Sequence, residues 1–139
     1  MKKILYTSIA LTGLLVTSCA SDKKDDPATP EPSTDPREKY VAYWHVNENS
    51  AVAGTNTYTV NIIKSTTNSS EIIINNFSGL SVSARASVSN NNLTIPYQQI
   101  GTIGFTKGSG IFNGTNNISM NYTTTISTSR DSCSATYTK

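Results

Sequence analysis

The sequence predicts an all-β domain, a small antiparallel up-and-down β-barrel of about eight strands, with a β-sandwich as the alternative. Apolar side chains recur at every second position, the mark of strands with one buried and one wet face. The segments that do so follow one another at intervals of roughly ten residues. Short Gly- and Asn-containing turns separate them, so sequential strands pair as antiparallel neighbours. Ser, Thr, Asn, Val, Ile and Tyr dominate, no helical period is present, and closing the meander would remove both sheet edges.

In chain order, the first strand runs over Val41 to Val46, where Trp44 shares a face with Ala42 and Val46 and so fills one end of the core. Tyr58, Val60 and Ile62 mark the second strand, and Glu71 to Asn75 the third. The fourth has the clearest alternation, Ser81 to Val88, with Ala84 and Ala86 on one face and Arg85 solvated on the other. Leu93 to Gln98 contains Pro96, which cannot donate to a ladder and therefore marks an edge or a bulge. Phe105 to Phe112 follows, then Ile118, Met120 and Tyr122, and finally Cys133, Ala135 and Tyr137, read as facing the interior. Asn113-Gly114 predicts a two-residue hairpin, because both positions tolerate positive φ, and Asn90 to Asn92 is a weaker signal of the same kind. Gly54, Asn68 to Ser70 and Gly79 punctuate the remaining connections. With Ser and Thr outside and Tyr58, Ile72, Ile74 and Met120 inside, the barrel is expected to be filled by its own side chains.

Three segments divide the chain: 1–18, 19–38 and 39–139. The first has Lys2 and Lys3 before an apolar run from Ile4 to Val16, the layout of a cleaved secretory signal peptide and too short to span a bilayer. Its end, Val16-Thr17-Ser18-Cys19, resembles the lipobox of bacterial lipoproteins. The resemblance implies cleavage before Cys19, a diacylglyceryl thioether on its sulfur and usually an acylated amino terminus such as palmitate provides; two or more chains make a stable anchor. The second segment carries three basic residues against six acidic ones, net −3, and four of the five prolines, so it cannot bury a core and reads as a disordered tether. The run Asp22-Lys23-Lys24-Asp25-Asp26 resembles the acidic export signals that carry some lipoproteins to the outer face of the outer membrane, and reads equally as a solvated spacer. These features predict an outer-membrane lipoprotein, with cell-surface display as one of its forms.

The third segment carries six basic residues against Glu48, Glu71 and Asp131, net +3 and unclustered, which excludes a nucleic-acid surface. His45 is the sole histidine, expected on the rim of the first strand, so no multi-histidine metal site can be assembled and no metal or other cofactor is expected. With three carboxylates and one histidine the enzyme reading is poor, and no catalytic residue is assigned. Cys133 has no partner once Cys19 is acylated, and reads as a buried small hydrophobe. Six Asn-x-Ser/Thr sequons follow from composition alone and receive no role. The candidate ligand-binding residues are Tyr43, Trp44 and Tyr97, since aromatic rings with polar tips suit sugar stacking or a protein contact.

The succession Asn76-Phe77, Val82-x-Ala84-x-Ala86, Leu93-x-Ile95-Pro96-x-Gln98, Gly108-Ser109-Gly110, Asn113-Gly114 and Cys133-x-Ala135-x-Tyr137 resembles small lipoproteins with a calycin-like (lipocalin-like) barrel of uncharacterised function. The resemblance implies the barrel and no activity. The chain is shorter than true lipocalins and lacks their Gly-x-Trp opening, as Trp44 follows Tyr43. The leading expectation is a lipid-anchored envelope protein whose barrel is a protein-interaction or accessory module, acting through loops such as Asn47 to Gly54. The alternative is a binding module for a small apolar ligand or glycan at the barrel mouth.

Overall fold

The computed structural model describes residues 35–139. Cys19, the signal peptide and most of the tether lie outside the described residues. A short 3₁₀ turn, Glu38–Tyr40, leads into eight strands: β1 Ala42–Ser50, β2 Gly54–Lys64, β3 Glu71–Phe77, β4 Val82–Ser89, β5 Asn92–Ile100, β6 Gly104–Phe112, β7 Asn117–Ile126 and β8 Ser129–Thr138. Each pairs antiparallel with the next, and β8 pairs back onto β1 with Cys133 opposite Ser50 and Tyr137 opposite Val46. The sheet is a closed up-and-down barrel, which decides against the sandwich.

Alternation builds the interior as expected. Trp44, Val60, Ile62, Ile72, Ile74, Ala84, Ala86, Ile118, Met120, Cys133, Ala135 and Tyr137 are all buried there. On β6 the inward positions are Thr106, Gly108, Gly110 and Phe112. A Cβ on Gly108 would lie 2.4 Å from Tyr122 Cβ and 2.5 Å from the Asn121 carbonyl, so the missing side chain makes room for β7 to lean inward.

Two bulges shift the period by one residue. In β3 the inward set passes from Ile72 and Ile74 to Phe77, because Asn76 adopts φ 61° and the register with β4 slips there. The Asn76 amide holds the kink by donating to the Thr59 carbonyl at 2.8 Å and accepting from the Ser81 N–H at 3.0 Å. In β5, Pro96 and Tyr97 together oppose one residue of β6, so inward Leu93 and Ile95 give way to Ile100. Pro96 therefore sits at a bulge; a closed barrel has no edge for it.

Hairpin geometry differs in one place from expectation. The β6–β7 connection is a longer loop, with Gly114 at φ 91° and the Asn113 N–H donating to the Asn117 carbonyl at 2.8 Å. The two-residue connections are Asn90-Asn91 and Ser127-Thr128, where Asn90 and Ser127 take positive φ. Asn47 to Ser50, expected in a loop, belong to β1 and are paired on both sides; only Ala51 to Ala53 form the connection.

One end of the barrel is plugged. Tyr40 and Trp44 meet Phe112 edge-on, with centroids 5.4 and 6.4 Å apart, and the Trp44 indole donates to the Tyr40 carbonyl at 2.7 Å. Below them Arg37 donates to the carbonyls of Ser65, Asn68 and Glu71 at 3.0–3.2 Å, satisfying a loop that has no strand partner there. Asp35 grips the same guanidinium at 2.8 Å, and that contact holds its carboxyl below the usual range. Composition assigned Asp35 to Glu38 to the tether; these four residues instead belong to the base of the barrel.

Candidate functional site

The outer wall and the open end are the two regions where groups of chemical interest gather. On the outer wall, the bulge at Pro96 turns Tyr97 outward, where it stacks on Phe105 of β6 with centroids 5.3 Å apart and planes within 2° of parallel. Tyr97 is 70% exposed, which leaves one ring face open to solvent. Register places Phe105, Thr125 and Arg130 on one row across β6, β7 and β8, and Lys107, Thr123 and Ser132 on the next. An open groove of about 690 Å³ starts at Tyr97 and Lys107 and runs past Asn121, Ser132 and Ser134 to Asn49. It continues as a polar trough floored by Ser119, Thr136 and Asn47.

At the open end, opposite the plug, a carboxylate is turned into the barrel. Glu48 is buried and accepts from the Tyr58 hydroxyl at 2.5 Å, from the Ser78 hydroxyl at 3.2 Å and from the Tyr122 hydroxyl. Burial raises the pKa of Tyr58 and Tyr122 well beyond the ordinary phenol range, so both remain donors. Asp131 accepts from Ser50 Oγ at 2.6 Å and from the Val52 N–H at 3.2 Å. Partial burial opposes ionisation of Asp131, yet the donors from Ser50 and Val52 outweigh it and hold the carboxyl below its usual value. Cys133 lies behind them, buried, and burial pushes its thiol up to about 12, so it is an inert thiol at neutral pH. The Tyr137 hydroxyl is also buried and has no hydrogen-bond partner among the described residues.

This mouth forms a depression of about 250 Å³, rimmed by Val52, Leu80 and Ile126. Its polar groups are engaged with one another, so it offers little unsatisfied capacity to a ligand.

The three aromatic candidates separate. Trp44 is fully buried in the plug and is a core residue. Tyr43 is 71% exposed on β1, and Tyr97 stands on β5, across the closed strand order, so the two do not share a site. His45 is exposed on β1 and Arg85 on β4, as expected. Sequence reasoning missed Glu48 as an interior group and Phe105 as the partner of Tyr97. Continuing the alternation Trp44, Val46 by one step finds Glu48. The outward turn of Tyr97 depends on a bulge, and only its presence, not its direction, is visible in Pro96.

The chain matches no protein-family model and no curated relative. Its fold is similar to that of a solved redesigned β-barrel, with a TM-score of 0.54 at 8% identity over 76% of this chain and 95% of that one. The barrel architecture is thus shared with a designed protein.

Proposed function

We propose that the chain is a lipid-anchored envelope protein, held through Cys19, whose barrel is an interaction module that works through its outer wall. The observation that carries this reading is that the interior is occupied by its own side chains while the Tyr97–Phe105 stack is left in solvent. An eight-stranded barrel has room for its side chains or for one small ligand, not both. A container would need an enclosed cavity of about 300 Å³ or more, whereas the mouth depression is smaller and self-satisfied. Exposed aromatic pairs beside open grooves are the usual anchors of a partner. The reading assigns no reaction, and outer-membrane placement rests on the lipobox and the acidic run.

Two measurements test it. Metabolic labelling with a palmitate analogue should mark the native chain, and label retained by Cys19→Ala would remove the anchor. A photo-cross-linking residue at position 97 should capture a discrete product in intact cells, whereas one at position 63, exposed on β2 across the barrel, should not. Equal capture from both positions, or none, would argue against an outer-wall site.

A further inference from the structure

We propose that the outer wall of β5–β8 binds an acidic polysaccharide, its sugar rings on Tyr97 and its anionic groups on Lys107 and Arg130. The inference rests on the outer-wall reading above and names the partner that wall would take.

Charge complementarity is the first argument. The cations at the base are committed. Arg37 and Lys64 form ion pairs, Lys39 donates to Asn91 and lies over Tyr40 and Phe112, and Lys139 lies 4.6 Å over Trp44 and donates to the Lys39 carbonyl. Lys107 and Arg130 are exposed, and their side chains make no hydrogen bond or ion pair among the described residues. They flank Thr123 and Thr125 in a pocket completed by Tyr97 and Phe105. Among the described residues no carboxylate reaches this wall. Asp35 and Glu38 sit beside Lys64 at the base, Glu71 opens β3, and Glu48 and Asp131 turn into the mouth. An anion arriving at Lys107 and Arg130 therefore meets no repulsion from the described carboxylates.

The second argument is the chemistry between the charges. The groove floor is a lattice of outward Asn, Ser and Thr on β7, β8 and β1, neutral groups that both donate and accept, which suits hydroxyl-rich partners. The open Tyr97 face is flat and held rigid by the parallel Phe105 ring beneath, so a sugar face can pack on it with little ordering cost. A neutral glycan would leave both cations unused. A peptide of acidic residues would use the cations but not the ring and the hydroxyl lattice.

The test is affinity electrophoresis of the full chain in detergent at low salt, through gels carrying polygalacturonate, dextran sulfate, neutral dextran or polyglutamate. Retardation is expected with polygalacturonate or dextran sulfate and not with dextran, the stronger of the two naming the anionic group as carboxylate or sulfate. Lys107→Ala, Arg130→Ala and Tyr97→Ala should each weaken that binding by about three- to tenfold. All three side chains are exposed, and an unchanged thermal transition in each variant would show that the fold is intact. Tyr97→Ala should leave any retardation by polyglutamate unchanged. Absence of retardation by both acidic glycans, or polyglutamate binding as tightly and with the same dependence on Tyr97, overturns the inference. A protein cross-linked from position 97, with no acidic glycan bound, would overturn it while leaving the outer-wall reading standing; no cross-link at all would remove both.

Discussion

The Tyr58 hydroxyl donates to the Glu48 carboxylate at 2.5 Å across the β1–β2 pair, joining a side chain that alternation predicts inside to an acid buried with it. Removing the acid strands its donors. Glu48→Ala should leave Ser78 without its acceptor and the Tyr58 and Tyr122 hydroxyls with only each other, at 3.1 Å, and lower stability by about 2–3 kcal/mol, read as a fall in the urea midpoint. Tyr122→Phe deletes one donor and should cost about 1–2 kcal/mol. Tyr137→Phe should go the other way, neutral or stabilising, because it removes a buried hydroxyl with no partner among the described residues. A loss for Tyr137→Phe equal to that for Tyr122→Phe would contradict this account.

The two inward glycines of β6 should not behave alike. A Cβ on Gly108 meets Tyr122 Cβ and main chain, which can yield only if β7 shifts. One on Gly110 would come closest to Met120 Sδ, the flexible end of a side chain. Gly108→Ala should therefore destabilise by about 1–3 kcal/mol, and Gly110→Ala by clearly less. Equal losses in chemical denaturation would count against the close approach of β6 and β7.

Between β4 and β5 the backbone ladder covers only Ser87–Ser89 and Asn92–Thr94, and beyond it the Gln98 side chain takes over. Its carbonyl oxygen accepts from the Arg85 N–H at 2.9 Å and its amide nitrogen donates to the Arg85 carbonyl at 2.7 Å. Gln98→Ala should cost about 1–2 kcal/mol. Amide exchange at Arg85 should accelerate more than at Ser87, which keeps its ladder; uniform acceleration would mean that the side chain is not a local clasp.

Cys133 and the buried tyrosines make the barrel alkali-sensitive. The folded pKa of Cys133 lies at about 12, above the unfolded value of about 8.5, so its contribution is complete below pH 8.5 and is lost as pH rises toward 12. Tyr40, raised to about 12 by burial, adds to the same loss above pH 10. The thermal midpoint should fall steadily across that window. Thiol reagents should react with the native protein at pH 8 far more slowly than with the unfolded chain; equal rates would place Cys133 outside the core.

Deleting Cys133 to Lys139 removes most of β8, the strand that closes the barrel against both β1 and β7. The loss buries no compensating surface and exposes two edges, so the truncated chain should show no cooperative thermal transition. An unchanged transition would be incompatible with the closed order.

Strand number, order and interior face were legible in the sequence because a period of two is a local property, and Tyr58, Met120 and Cys133 need no distant information to be assigned inward. The same period, carried two residues past Val46, contained Glu48. It went unread because an acid at an inward position is identified only once the hydroxyls that satisfy it are known, and those come from β2, β7 and the turn after β3. The role of Arg37 was likewise hidden, since its partners are three carbonyls about thirty residues downstream. By itself the sequence determined an apolar amino-terminal run ending at Cys19, a polar Pro-rich stretch and a meander of eight strands. The tertiary structure alone decided closure, the phase shifts at Asn76 and Pro96, and with them which aromatic rings face solvent. A bulge reverses every side chain beyond it, and that reversal set Tyr97 on Phe105 beside Lys107 and Arg130.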